Sequence, residues 1–463
     1  MDYELLVIGA GPGGYTAALS AASYGIKAAV VEYRETGGTC LNRGCIPTKT
    51  LLHSSDVYRS IAEASSIGIH AESLSVNIEE IFSHKRHVSK TLADGIEGML
   101  KRAKVDLLRG KAVITAPGKV EITDSEGNVS EVTSEKILCA TGSVPARPPI
   151  PGFDLEGVIT SDELLEGTDH LYKSIVIIGG GVIGIEFATF YADLGCDVTI
   201  IEGADRLLPL MDKEFGQNLN AVYKKQGVRV CTGSTVEKVE KCDNGLRVYF
   251  SSKKGEDFAE GEVVLSAIGR KICIDNLFAE SMKDVPRIER NAIVTDDRFE
   301  TTVPGIYAIG DVSAKVKLAH VASAQAKAFA DIHYGSGYLG NLDIIPSCIY
   351  SRPEIATVGM TDAEAKQAGI PVKVGKCVMG ANARTLILDN PRSFMKVVAN
   401  ADTGKIIGAH LMCENSTDMI TQLSQAVEAG LTASQLLTTM RPHPTFEEAL
   451  AEALLDLQNK LEK

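Results

Sequence analysis

The chain has no tryptophan, and its aromatic share is only 5%. Stacking on aromatic rings is what holds single-stranded nucleic acid without sequence preference, so that class of function is excluded. A basic excess is missing too: 47 Lys and Arg stand against 60 Asp and Glu, a net charge of −13. Such a surface repels phosphate polyanions and anionic lipid, so neither nucleic acid nor a membrane is expected as a partner. No basic segment opens the chain, which begins Met1-Asp2-Tyr3-Glu4. No secretory signal is read there, and a cytoplasmic location is expected. The uncharged stretch at residues 5–26 is long enough to span a bilayer, but it holds Gly9, Gly11, Pro12, Gly13, Gly14 and Gly25. That punctuation reads as strand, turn and helix. A second cysteine or histidine pair at zinc-binding spacing is absent, and no metal is expected.

What is present is an ordinary globular composition, 44% hydrophobic and 23% charged, over 463 residues. At roughly 150 residues per domain this length suggests about three domains. Of ten cysteines, eight are scattered singly: Cys139, Cys196, Cys231, Cys242, Cys273, Cys348, Cys377 and Cys413. Free cysteine packs as a small apolar residue, which accounts for these eight. Only Cys40 and Cys45 lie close together.

The strongest organising signal is an internal repeat. The apolar run Leu5–Ile8 leads into Gly9, Gly11 and Gly14, then a helical stretch, then a strand from Ala28 that ends at Glu32. Ile175–Ile178 leads into Gly179, Gly181 and Gly184, and Val198–Ile201 ends at Glu202, so each glycine and each glutamate recurs 170 residues later. This is the logic of a dinucleotide fold. The first glycine permits the tight turn, the second lets backbone approach a pyrophosphate, and the third brings helix close to strand. The helix N-terminus offers free N–H groups to the phosphates, and the acid accepts from a ribose hydroxyl. One such pattern alone is weak; two in the same strand–helix–strand context imply two bound dinucleotides. A second echo follows: Ala140-Thr141-Gly142 after one apolar run, and Ala267-Ile268-Gly269, followed by Arg270, after another. The first copy is longer by about 43 residues, much of it just after Glu32, and the extra sequence carries the cysteine pair. Glu202 would repel a 2′-phosphate, which favours NAD over NADP, although Arg206 lies nearby.

The pair sits in Gly37-Gly38-Thr39-Cys40-Leu41-Asn42-Arg43-Gly44-Cys45-Ile46-Pro47-Thr48-Lys49. Five residues advance about 7.5 Å along an ideal helix. A disulfide needs Cα atoms within about 6.8 Å, so bonding these two demands distorted backbone, which Gly44 permits. Pro47 marks the first turn of a following helix, where a thiolate is stabilised. Arg43 and Lys49 would add to this if they face the sulfurs. A plain pair of buried thiols is the alternative.

This run resembles the redox-active signature of the flavin-dependent pyridine nucleotide–disulfide oxidoreductases. The resemblance extends over essentially the whole chain. It includes both glycine patterns, Ala308-Ile309-Gly310-Asp311, Pro353-Glu354-Ile355-Ala356 and the C-terminal His443-Pro444-Thr445. It implies an α/β fold: two Rossmann-like dinucleotide-binding domains plus a C-terminal α+β dimerisation domain. The expected division is an FAD-binding domain at 1–147, an NAD-binding domain at 148–272, a central segment completing the FAD site at 273–341, and an interface domain at 342–463. The first fingerprint with Glu32 is implied to hold the ADP half of FAD, and Asp311 to contact its flavin side. Thr141, Gly142 and Ala319 are further implied cofactor contacts, as are Gly269 and Arg270. Lys49 and Glu186 match an ion pair beside the isoalloxazine ring. His320 lies in a run near the flavin in relatives, and no role is assigned to its side chain.

The final helix begins near Phe446, with Phe446, Leu450, Leu454, Leu457 and Leu461 at three- and four-residue steps. Thr445 and Glu448 fit a capping box, which alone explains the glutamate. The resemblance adds that Glu448 orients His443, the base that deprotonates a dithiol substrate. In the family this histidine serves the cysteines of the other subunit, which implies a homodimer. Within the family, the NAD preference, the cysteine spacing and the C-terminus without cysteine point to members that oxidise protein-bound dihydrolipoamide to lipoamide. Cys45 is then the flavin-facing thiol and Cys40 the exchange thiol. The implied partner is a lipoyl-bearing protein of a 2-oxoacid dehydrogenase or glycine-cleavage complex. Two rival readings stay open: a reductase of another disulfide such as that of glutathione, and a mainly structural subunit of such a complex.

Overall fold

In the computed structural model, residues 1–282, 284–313, 316–338, 340–389 and 392–463 are described. The first apolar run is the strand Tyr3–Ile8, central in a parallel sheet between Ala28–Glu32 and the end of Val129–Cys139. Asp106–Arg109 adds outside Ala28–Glu32. The strand Ile306–Ala308, which comes from far along the chain, pairs with Ile137–Cys139 on the other side. The first half of Val129–Cys139 turns antiparallel to the meander Lys111–Ala116 and Lys119–Thr123. Leu5, Leu6 and Val7 are fully buried because helices and the meander cover both sheet faces. Each such side chain contributes about 1.5–3 kcal/mol by leaving water.

The second copy repeats the plan. Its parallel strands run in the order Arg229–Thr232, Asp197–Glu202, Ser174–Ile178, Val263–Ser266 and Val158–Thr160. A separate antiparallel meander spans Ser234–Cys242, Gly245–Ser252 and Gly255–Gly261. The two copies are stitched together where Ser143–Pro145 pairs antiparallel with Arg270–Ile272. The 43-residue excess of copy one appears as helices Gly38–Arg43, Cys45–Glu63 and Ile78–Arg102 inserted after Glu32.

The C-terminal unit is a five-stranded antiparallel sheet with helices Ser416–Glu428 and Glu447–Leu461 against it. Phe446, Leu450, Leu454 and Leu457 of the last helix are buried there, while Leu461 is half-buried at its end. A buried ionic cluster joins this unit to the second copy. Lys396 Nζ lies 2.5 Å from Asp212 Oδ2 and 2.6 Å from Asp362 Oδ1. Asp212 also caps helix Lys213–Lys225 by accepting from the Glu214 N–H. No helix among the described residues is long and apolar enough to cross a membrane.

Candidate active site

The two fingerprints make the same contacts at equivalent positions. Gly9 has φ +104° and Gly179 φ +113°, a left-handed backbone that glycine adopts without strain. A Cβ on Gly9 would stand 2.5 Å from the Ala140 carbonyl oxygen, and one on Gly179 2.5 Å from that of Ala267. The later Ala-x-Gly runs therefore pack directly on the turns. A Cβ on Gly14 would meet the Gly9 oxygen at 1.8 Å, and one on Gly184 the Gly179 oxygen at 2.0 Å. Glu32 accepts from the Ala10 and Arg34 N–H groups, both at 2.8 Å. Glu202 accepts from Gly180 at 2.6 Å and Ala204 at 2.7 Å. Each carboxylate oxygen keeps a second lone pair for a ligand hydroxyl.

Both turns open on one cavity of about 1840 Å³. One ligand occupies at most roughly 1,000 Å³, so the space suits two. Among the described residues, three buried polar atoms of its lining have no hydrogen-bond partner: Thr141 Oγ1, Asp162 Oδ1 and Arg43 Nε. Buried polar groups left this way mark where a ligand's own polar atoms go. The residues present therefore fit a flavin dinucleotide on the first turn. Asp311 accepts from the Ser143 hydroxyl at 2.5 Å, and that hydroxyl accepts from Arg270 Nε at 2.7 Å. Arg270 thus reaches across the stitched strands to order Asp311. Ala319 opens helix Ala319–Tyr334 against the same cavity.

Cys40 and Cys45 sit on either side of a helix break at Gly44. Cys45 is the first residue of helix Cys45–Glu63, and its thiol hydrogen-bonds that of Cys40. The shared hydrogen bond and the Lys49 ammonium lower the Cys45 thiol, although burial opposes them. The same sharing, together with burial, drives the Cys40 thiol up. Lys49 Nζ donates to both Glu186 oxygens at 2.8 Å. Arg43 pairs with Glu35 of the preceding loop at 2.7 Å. Cys45 lines only the large cavity, whereas Cys40 also lines a second of about 630 Å³. Pro12, Tyr15, Leu92, Met99 and Arg102 are among the walls of this second cavity. His320 lies there too, with Nε2 2.8 Å from the Pro346 carbonyl oxygen.

At the C-terminus His443 Nδ1 is 2.8 Å from Glu448 Oε1, while Glu448 Oε2 accepts from the Thr445 N–H at 3.0 Å. That backbone donor, then His443, holds the Glu448 carboxyl below its usual range. The capping box is half made: the Thr445 hydroxyl donates to the Pro442 carbonyl instead of accepting from the helix, so Glu448 serves both roles with separate oxygens. His443 is 72% exposed and lines neither cavity. Sequence reasoning missed Ser143, Asp162 and Tyr350. Tyr350 donates its N–H to Glu186 Oε1 at 3.1 Å, and its ring centre lies 4.7 Å from Lys49 Nζ. Nothing local marks Ser143 and Tyr350, because each acts through chain far away, and Asp162 stands out only by its unpartnered oxygen.

Two dinucleotide turns on one cavity, with a dithiol and a lysine–carboxylate pair between them, define an oxidoreductase of the two-nucleotide disulfide class. The chain belongs to the pyridine nucleotide-disulphide oxidoreductase family, whose description matches residues 3–326, with the family's dimerisation domain at 345–454. It is 37% identical to a dihydrolipoyl dehydrogenase of Bacillus subtilis (strain 168), over 99% of this chain and 98% of that one. It is 36% identical to the dihydrolipoyl dehydrogenase of Geobacillus stearothermophilus, over 98% and 96%. Among solved structures it is similar to LpdA from Mycobacterium tuberculosis, with TM-score 0.88, 26% identity and coverage of 97% and 99%. It is also similar to the HOCl-induced flavoprotein disulfide reductase RclA from Escherichia coli, with TM-score 0.85, 28% identity and 99% of each chain covered.

Proposed function

We propose that this chain is an FAD-dependent dihydrolipoyl dehydrogenase, which oxidises protein-bound dihydrolipoamide to lipoamide and reduces NAD⁺. One observation carries the reading: Cys40 borders both cavities and Cys45 only the one that the two nucleotide turns share. An exchange thiol must meet substrate, and its partner must meet the cofactor. Residues 1–147 with 273–341 form the flavin unit, 148–272 the NAD unit and 342–463 the interface domain. Gly9, Gly11, Gly14, Glu32, Thr141, Gly142, Asp311 and Ala319 hold FAD, with Lys49 and Glu186 beside its ring. Gly179, Gly181, Gly184, Glu202, Gly269 and Arg270 serve NAD. Bound FAD supplies the two-electron relay between the dithiol and NAD⁺, chemistry that side chains lack.

The chain's own residues do the rest. His443 accepts the proton of a dihydrolipoyl thiol at Nε2, since Nδ1 is engaged by Glu448. The substrate thiolate attacks Cys40 Sγ of the Cys40–Cys45 disulfide; that S–S bond breaks and Cys45 leaves as a thiolate. The second substrate thiol then attacks the substrate sulfur of the mixed disulfide and closes the lipoyl ring; Cys40 leaves and takes up that thiol's proton. A lowered Cys45 thiol makes it the better leaving group. His443 is exposed and borders neither cavity of its own chain, so the base comes from a second copy. Val378, Leu386 and Met440, exposed at 68%, 64% and 94%, are apolar side chains of the C-terminal unit that a homodimer could bury. The partner is a lipoyl-bearing protein of a 2-oxoacid dehydrogenase or glycine-cleavage complex, and the setting is cytoplasmic. The deciding assay compares dihydrolipoamide:NAD⁺ turnover with glutathione disulfide:NADPH turnover. The first is expected to dominate by at least a hundredfold, and Cys45→Ser to abolish it. A faster second reaction, or full turnover by Cys45→Ser, would falsify the reading.

A further inference from the structure

The Lys49–Glu186 pair is where all three units of the chain meet. Lys49 lies in the first unit on helix Cys45–Glu63, and Glu186 in the second on helix Val182–Asp193. Tyr350 follows strand Ser347–Ile349 of the C-terminal unit. Its N–H donates to the same Glu186 oxygen that Lys49 reaches, and its ring faces the ammonium at 4.7 Å. A cation over an aromatic face is attracted by the ring quadrupole, most strongly where water is scarce. Tyr350 is 37% exposed and the Glu186 side chain only 5%. The ring thus shields one flank of a nearly buried carboxylate and its counterion.

We propose that Tyr350 is a positioning residue for the dithiol: its backbone N–H orients Glu186 and its ring holds the Lys49 ammonium against Cys45. The inference rests on the reading of Cys45 as the flavin-facing thiol. The C-terminal unit thereby contributes to thiolate stability in its own chain, apart from whatever it lends to a second copy. The charged and titratable groups around Cys45 come from four elements of its own chain, and the proposed mechanism adds His443 of a second copy. Lys49 shares its helix, and Cys40 faces it from helix Gly38–Arg43. Glu186 faces it from helix Val182–Asp193, and the Cys348 and Tyr350 side chains approach the ion pair from the C-terminal unit. Burial raises both the Cys348 thiol and the Tyr350 hydroxyl, so both stay neutral near pH 7. Lys49 is therefore the cation that this chain itself places beside Cys45.

The test titrates holoenzyme in a Cys40→Ser background, so that Cys45 is the only thiol of the pair. Two readouts run in parallel: the long-wavelength absorbance of a thiolate against oxidised flavin, and iodoacetamide alkylation of the Cys45 peptide by mass spectrometry. Tyr350→Leu is expected to raise the Cys45 midpoint by about 0.5 to 1 pH unit, and Tyr350→Phe to keep it within about 0.2 unit. With Lys49→Met added, the Tyr350→Leu shift should vanish, a coupling that a merely structural role would not produce. If Tyr350→Leu does not fold, Tyr350→Gln keeps the backbone N–H and the length without the ring, and carries the same expectation. An unchanged midpoint in the ringless variants overturns the proposal, as does an equal shift in Tyr350→Phe or a shift that persists without Lys49. Absence of the absorbance in every variant would instead count against the flavin-facing assignment, and the alkylation midpoints would still decide the role of Tyr350.

Discussion

The two fingerprint turns are built alike and finished differently. Each turn is tied to the loop after its glutamate through the residue that follows the first glycine: Gly37 donates its N–H to the Ala10 oxygen, and Leu208 to the Gly180 oxygen. From there the first loop becomes helix Gly38–Arg43 and crosses over the turn. A Cβ on Gly38 would stand 2.7 Å from Gly11 Cα. The second loop runs outward instead, with Leu210 95% exposed. Among the described residues nothing stands within 4 Å of a Cβ built on Gly181. The helix after the first turn is also roofed by Ile309 and Ala322, which a Cβ on Gly13 would touch. Its counterpart carries the half-buried Ile183 in place of Gly13, and Val182 beside it is 39% exposed. One cradle is closed by the dithiol insertion and suits a resident cofactor; the other is open and suits one that comes and goes.

The largest effect should come from the third glycines. Gly14→Ala drives a methyl into the Gly9 carbonyl, and because that cradle is closed, helix Pro12–Ser23 cannot retreat without disturbing helix Ala319–Tyr334. We expect protein that is colourless or insoluble, checked by flavin absorbance of the purified fraction. Gly184→Ala has a nearly as short contact but stands at the open cradle. It should keep its flavin and lose NAD⁺-dependent turnover by about a hundredfold or more, as expected when one misplaced ångström lies at a cofactor. Equal loss of flavin in both variants would break the comparison.

Next in size is the clamp beside the open cradle. Lys396 and Asp212 are 5% and 2% exposed, and removing one partner of a buried pair costs about 3–5 kcal/mol. Lys396→Met should lower the melting temperature accordingly while flavin content stays normal, because the closed cradle lies elsewhere. Burial pushes the Asp362 carboxyl up, but the Lys396 ammonium more than reverses this and holds it low. A depressed folded value means stability is present above the unfolded value of about 3.9 and lost as pH falls through the folded one. The wild type should therefore lose this contribution on acidification below about pH 4, and Lys396→Met should lack that step in a pH series of melting curves.

The glutamates come third. Glu32 is buried and Glu202 half-buried, though both accept two backbone N–H groups. Glu202→Ala should raise KM for NADH about tenfold with little change in kcat, and narrow the preference over NADPH. Glu32→Ala leaves the buried Ala10 N–H without its partner, at about 1–3 kcal/mol, and frees the part-buried Arg34 N–H, so it should act on flavin retention and melting temperature instead. A pure KM effect from Glu32→Ala would mean that the first cradle exchanges its nucleotide.

Much of this was legible in the sequence for a physical reason. Gly14 and Gly184 are fixed by the carbonyls of Gly9 and Gly179 only a few residues earlier, so their spacing carries the geometry. The cysteine pair and the final amphipathic helix are likewise local. The strand Ile306–Ala308 in the first sheet, the Arg270–Ser143–Asp311 chain and the Tyr350 ring over Lys49 were not legible. Each joins residues more than a hundred positions apart, where no period or spacing survives. Arg43 shows the limit at short range: its proximity to both cysteines suggested a role at the sulfurs, and in the structure its guanidinium pairs with Glu35.

The smallest effect is also the sharpest test of closed against open. Thr141 and Ile268 occupy equivalent places in the two Ala-x-Gly runs. The Thr141 hydroxyl is buried on the cavity without a partner among the described residues, whereas Ile268 is 38% exposed. Thr141→Val keeps the shape and removes the hydroxyl. If that group awaits the flavin, flavin-free protein should melt no lower than wild type, since an unsatisfied buried polar group has been removed. Flavin affinity should fall by about 0.5–1.5 kcal/mol, roughly twofold to tenfold. Ile268→Thr places a hydroxyl where water already reaches, and should leave KM for NADH within about twofold. The two substitutions thus separate a cradle that depends on its ligand for hydrogen bonds from one that solvent can serve. Equal and opposite gains and losses at the two sites would mean that both nucleotides meet this chain under the same terms.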